Sequence, residues 1–181
     1  MRVAVALPLA LLAACGGEPP APQPSGGPEA IPSTAAADPL ATPATLPPQV
    51  SDFPALESRT CMDVARFYSD ALASGAYDRA ALAWADPVID GARLRALLDK
   101  YRQPTIAWGE PTQEGAAGSS YCTIEGTLTD AADPARAPAA GTLILKRVND
   151  VEGASAEQLR WTIRSSTFIE TLERSGTGSP A

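Results

Sequence analysis

The sequence predicts an α+β fold: three N-terminal helices packed on a curved antiparallel four-stranded sheet. Two observations carry this. Apolar residues recur at helical spacing from Val64 to Tyr101, and after Pro104 the pattern changes to a period of two. A run of helices followed by a run of strands is the α+β order, not the alternating α/β one. The predicted unit spans 59–172, and about 110 residues suffice for one compact core.

The first helix starts at Thr60-x-x-Asp63, which reads as a capping box. Val64, Phe67, Tyr68, Ala71 and Leu72 then mark one face, and Ser74-Gly75 ends it with a glycine at C′. A second, short helix is expected from Asp78 as N-cap to about Ala85, where Asp86-Pro87 breaks it. The third begins after Asp90, carries Leu94, Leu97, Leu98 and Tyr101, and stops at Pro104. Strands are expected at Thr105–Gly109, with Ile106 and Trp108 on one face, and at Ser119–Thr129, with Cys122, Ile124 and Leu128 inward. Thr142–Val148 starts apolar on both faces and reads as a central strand. Leu159–Phe168 alternates, with Leu159, Trp161 and Ile163 inward and Arg160, Thr162 and Arg164 outward. Residues 173–181 are Ser/Gly/Thr-rich and are expected to form a flexible tail.

Ahead of the domain lie two further segments. Met1-Arg2 and the apolar run Val3–Ala14 have the size of a signal-peptide h-region, too short for a bilayer span of roughly 20 residues. The run closes on Leu12-Ala13-Ala14-Cys15, which resembles the lipobox of bacterial lipoproteins. The resemblance implies a signal peptide over 1–14 and a diacylglyceryl thioether on Cys15, with a further acyl chain on its new amino group. Two chains anchor stably where one does not. Gly16-Gly17 lacks the Asp that in this family favours inner-membrane retention, which implies a lipid-anchored protein of the outer membrane facing the periplasm. The alternative is a plain secretory signal with an incidental cysteine. Residues 15–58 are rich in Pro and Ala and lack apolar periodicity, so they read as a disordered tether with coil ends roughly 35–40 Å apart.

The chain of 181 residues has 14 Lys+Arg against 21 Asp+Glu and no His. Its acidic balance excludes the basic footprint of a nucleic-acid binder and a polybasic attraction to anionic lipid. Without His it lacks the commonest metal ligand and the commonest acid/base group near neutral pH; no metal or cofactor is expected. Setting Cys15 aside as lipidated leaves Cys61 and Cys122. An exported protein sits where disulfides persist, so a Cys61–Cys122 bridge is expected, against two buried free thiols.

Val64-Ala65-Arg66-Phe67-Tyr68, Ser74-Gly75-Ala76-Tyr77-Asp78, a short Trp84-bearing helix and the late Leu159-Arg160-Trp161-Thr162-Ile163 strand together resemble the nuclear transport factor 2-like fold, shared by ketosteroid isomerases and polyketide cyclases. The resemblance implies a cone-shaped pocket, for which Tyr68, Trp84, Tyr101, Trp108 and Trp161 are the candidate lining, or else the filling of the core. An isomerase would need a carboxylate base in an apolar pocket. Asp70, Asp86, Asp90, Asp99 and Glu125 are the carboxylates nearby in sequence, but they stand in turns, caps or solvated faces and match no catalytic motif. Lys146, Arg147, Arg160 and Arg164 could form a basic strip for an anionic envelope polymer or partner, against an ordinary solvated face balanced by Glu125 and other acids. The expected function is therefore a non-catalytic, lipid-anchored envelope protein binding a small apolar ligand or a protein partner. The alternative is an isomerase- or cyclase-like enzyme.

Overall fold

A computed structural model describes residues 46–177. Cys15, the signal segment and the first part of the expected tether lie outside the described residues.

The fold is α+β, built on one five-stranded antiparallel sheet and four helices. Helix α1 (Cys61–Ala73) follows the predicted face: Val64, Ala65, Tyr68, Ala71 and Leu72 are buried. Its start is capped differently from the expected box. Thr60 makes no side-chain cap bond; Ser58 Oγ instead donates to Asp63 Oδ2 at 2.6 Å and accepts from the Thr60 N–H at 3.0 Å. The end is as read. Gly75 takes φ +70°, and the N–H groups of Gly75 and Ala76 donate to the carbonyls of Leu72 and Ala71, both at 2.9 Å. This pairing is a Schellman motif, in which glycine avoids the Cβ penalty of the left-handed position.

Helix α2 covers only Tyr77–Ala81 and begins one residue ahead of the expected cap. It stops short of Ala85 because residues 83–85 pair with the sheet. The Ile163 N–H donates to the Ala83 carbonyl at 2.8 Å, and the Ala85 N–H to the Ile163 carbonyl at 3.0 Å. Helix α3 (Gly91–Leu97) is capped by Asp90, whose Oδ1 accepts the Arg93 N–H at 2.7 Å.

The strands are β1 (Pro104–Trp108), β2 (Thr112–Ala116), β3 (Ser119–Asp130), β4 (Ala139–Val148) and β5 (Thr162–Ser166). β3 is long enough to serve two partners on one edge. Its first half pairs with β2, Ala116 opposite Ser119, and its second half with β1, Pro104 opposite Asp130. The two-residue turn between β2 and β3 places Gly118 at φ +77°. β4 lies between β3 and β5, central as predicted. β2 was not anticipated: every residue in Thr-Gln-Glu-Gly-Ala is exposed, so no apolar alternation marks it.

Two expectations at the ends of the domain need correction. The tether does not run to residue 58. Val50–Asp52 and Pro54–Glu57 form 3₁₀ turns; Leu56 is fully buried, and the Phe53 ring lies 5.1 Å from that of Phe67. Nor does the last strand run to Phe168, or the tail begin free at residue 173. Helix α4 spans Thr167–Thr177. Phe168 and Ile169 are buried and Leu172 packs against the core, one helical face closing on the sheet.

The core lies between α1, α3, α4 and the inner sheet face. Cys61, the first residue of α1, is bonded to Cys122 on β3, with 6.4 Å between Cα atoms, as the cysteine count predicts. Among the described residues no helix is long and apolar enough to cross a membrane.

Candidate functional site

The five aromatic candidates are not gathered around one cavity. Tyr68 is 1% exposed and lies edge-on to Trp84, with ring centroids 6.1 Å apart. Burial pushes the Tyr68 phenol well above its ordinary pKa; the Trp84 side chain opposes this and offsets only part. Trp108 donates its Nε1–H to the Ala65 carbonyl at 3.1 Å and to Ser69 Oγ at 3.2 Å, and meets Phe168 edge-on. Trp161, also 1% exposed, donates to the Arg59 carbonyl at 2.9 Å. Tyr101 has the Arg136 guanidinium 4.7 Å from its ring centroid. These side chains fill the core and anchor its edges. Trp84 and Trp108 line surface clefts, but different ones.

The carboxylates fare similarly. Asp70, Asp86, Asp90, Asp99 and Glu125 are all exposed. Asp90 caps α3, and Asp86 Oδ1 accepts the Val88 N–H at 2.9 Å. Asp130 is the buried carboxylate among the described residues. It accepts backbone N–H groups of Arg102 and Gln103 at 2.9 Å and Ala132 at 3.1 Å, with Arg136 Nε at 3.6 Å. Burial alone would raise its pKa. The three N–H donors and the Arg136 charge outweigh that and hold it below its usual value. A carboxylate so saturated joins the start of β1 to the end of β3 and is not poised as a base.

The basic residues, by contrast, do converge. Lys146, Arg147, Arg160 and Arg164 line one groove of about 260 Å³, together with Trp84, Glu157, Gln158 and Thr162. Each wall has a local cause. Residues 83–85 pair along β5, which puts Trp84 beside the strand. The β4–β5 register shifts between Ile144 and Leu145: Ile144 faces Ser165 and Leu145 faces Ile163, so Arg164 is the extra residue of a bulge. Bulges re-aim side chains, and Arg164 is exposed on the sheet's outer side. The loop from 149 to 160 is closed by the Val148 N–H donating to the Gln158 carbonyl at 2.8 Å, which brings Arg160 back toward the end of β4.

The charges in this groove are poorly balanced. Arg147 Nη1 lies 3.1 Å from Asp150 Oδ2, and Arg59 Nη1 lies 2.7 Å from Asp150 Oδ1. The Arg147 hydrogen bond leads in holding the Asp150 pKa below its usual value; burial works against the shift, and the two arginine charges support it. Lys146, Arg160 and Arg164 have no carboxylate oxygen within 4.0 Å among the described residues. Lys146 instead sits 5.5 Å from the Tyr121 ring centroid, and Arg147 5.4 Å from that of Trp161. Glu125, the acid expected to balance the strip, lines a different cleft. The Trp84 side chain is turned to the buried Tyr68 phenol, while two donors on groove residues are buried without a hydrogen-bond partner among the described residues, Arg147 Nε and Arg160 Nη1. A donor so placed costs roughly 1–3 kcal/mol.

Sequence reasoning picked out all four cations but not the acid. Glu157 lies in a polar loop without periodicity, and nothing in its neighbours signals the groove. Trp84 was read as a pocket-lining residue; it borders this groove with its ring edge-on to Tyr68.

Comparison with known proteins finds no matching family model, no matching curated protein and no matching solved structure. Function is therefore argued from the geometry. Among the described residues no group of three or more His, Cys, Asp or Glu is placed to hold a metal ion.

Proposed function

We propose that this chain is a lipid-anchored, non-catalytic envelope protein, probing its surroundings with the outer surface of a nuclear transport factor 2-like domain. Cys15 carries the lipid, the Pro-rich segment spaces the domain from the outer membrane, and recognition is of an anionic envelope component. The observation that carries this reading is the contrast between the interior and the basic groove. The interior aromatics are packed or hydrogen-bonded within the core. Of the groove cations, Lys146, Arg160 and Arg164 have no carboxylate oxygen within 4.0 Å among the described residues. The helices-then-strands order supports the domain assignment, since it is the order on which the resemblance rests.

Catalysis of the isomerase type needs a carboxylate in an apolar pocket. The exposed positions of Asp70, Asp86, Asp90, Asp99 and Glu125 favour the non-catalytic reading.

Two measurements test it. Cell fractionation of the wild type and Cys15→Ala is expected to place only the wild type in the membrane fraction, with diacylglyceryl mass on the mature N-terminus. Titration of the folded protein with an apolar fluorophore is expected to give no saturable binding. A stoichiometric fluorophore site, or membrane retention of Cys15→Ala, would sink the reading.

A further inference from the structure

We infer that the groove between β4, β5, the 83–85 segment and the 157–160 turn is a binding site for a phosphoryl group. This rests on the surface-recognition reading above and names the chemistry it serves.

Three features select the ligand. The first is charge. Lys146, Arg147, Arg160 and Arg164 meet in one groove of a chain whose formal net charge is −7. Asp150 occupies part of Arg147 only. A phosphomonoester carries about −1.5 to −2 charges at neutral pH and offers several acceptor oxygens, so it answers more of this excess than a carboxylate does. The second is donor type. Arginine presents planar N–H pairs suited to phosphate oxygens and is weakly hydrated, so it gives up water readily. Among the described residues Arg160 makes no side-chain hydrogen bond, and its Nη1 and Arg147 Nε are buried and unpaired. The third is size. The groove volume of about 260 Å³ falls below the roughly 300–1,000 Å³ of pockets that enclose a whole drug-sized ligand. It suits one charged group at the end of a larger molecule.

Glu157 stands in the same groove and opposes an anion. It is exposed, so its removal provides a variant that strengthens binding without disturbing the core.

The test is calorimetry on the full-length protein in non-ionic detergent. The probes are inorganic phosphate, glycerol phosphate and monomeric dihexanoyl phosphatidic acid, all phosphomonoesters or phosphate itself, with acetate and sulfate as comparison anions. Saturable, mutually competing binding of the three phosphoryl probes is expected. Binding of the short-chain lipid alone supports the same site with a lipid headgroup as the source. Binding of phosphate and glycerol phosphate alone supports a soluble source. Arg160→Ala is expected to weaken binding by about tenfold or more, as for a lost charge-assisted hydrogen bond. Glu157→Gln should tighten it, and Arg102→Ala, outside the groove, should leave it unchanged. The inference is overturned if no phosphoryl probe saturates, or if acetate and sulfate bind as tightly as phosphate. It is equally overturned if the folded Arg160→Ala and Glu157→Gln proteins both match the wild type. None of these failures depends on the fluorophore or fractionation results, so either proposal can fall alone.

Discussion

The indole N–H of Trp161 donates to the backbone carbonyl of Arg59, 2.9 Å away and 102 positions earlier in the chain. The bond fastens the segment entering α1 to the residue just ahead of β5. The Arg59 side chain reinforces the link, with Nη1 2.7 Å from Asp150 Oδ1. Trp161→Phe keeps most of the apolar bulk but leaves that carbonyl without its donor. A loss of about 1–3 kcal/mol is expected, and Trp161→Ala, which also empties a buried site, should lose about 3–5 kcal/mol. Urea midpoints for the two variants check the ordering. Equal losses would mean that the buried ring contributes nothing beyond the hydrogen bond.

The Cys61–Cys122 bridge ties the first turn of α1 to β3 across a sequence separation of 61. On the chain-entropy model a loop of this length contributes roughly 4 kcal/mol, most of it by restricting the unfolded chain. The double substitution Cys61→Ala, Cys122→Ala is expected to lower stability by about that amount while leaving the secondary structure intact. Guanidinium unfolding with and without reductant measures it. Thiol titration of the unreduced, denatured wild type is expected to find neither thiol free.

Asp130 links stability to pH. Its folded-state pKa lies below the ordinary 3.8, because three backbone N–H groups and Arg136 together outweigh the effect of burial. A depressed folded pKa stabilises the fold above the unfolded value and loses that contribution as pH falls through the folded value. Asp130→Asn should therefore be less stable than wild type at neutral pH, with the gap narrowing below about pH 3.8. Thermal midpoints from neutral to acid pH test this. A gap that stays constant with pH would place the residue's role in hydrogen bonding alone.

Where the apolar signal was strong, the fold was legible. Val64, Tyr68, Ala71 and Leu72 repeat at helical spacing, and α1 buries them. Cys122, Ile124 and Leu128 alternate, and β3 turns them inward. The misses share a cause, namely that short structures are held by tertiary contacts. β2 has no apolar face and exists through its ladder with β3. Phe53 and Leu56 are two apolar residues in a Pro-rich stretch whose average composition reads as tether, yet they pack onto α1 and the core. Phe168 was read as the end of the last strand, but Thr167 begins a helix. For the site, the four cations were legible as residues of the last two strands. Their convergence was not, because it depends on a bulge at Arg164 and on the closure of the 149–160 loop.

The seating of α4 gives the most local prediction. Gly141 on β4 faces the Phe168 ring so closely that a Cβ there would lie 2.6 Å from Cδ1 and Cε1. The absence of a side chain at Gly141 thus allows the first turn of α4 to rest on the sheet. Gly126 does the same for Trp108, whose Cε3 would lie 2.7 Å from an added Cβ. Trp108 and Phe168 in turn meet edge-on, with centroids 6.1 Å apart, so the two glycines support one aromatic pair. Gly141→Ala must displace Phe168 and lift α4, at a cost of about 1–3 kcal/mol for overpacking. Gly115→Ala on β2, where an added Cβ meets nothing within 4 Å, should change stability by no more than about 0.5 kcal/mol. Hydrogen exchange locates the effect: amides of α4 should lose protection in Gly141→Ala while those of α1 keep it. If both helices lose protection equally, α4 is part of the same cooperative unit as the core and not a separately seated cover.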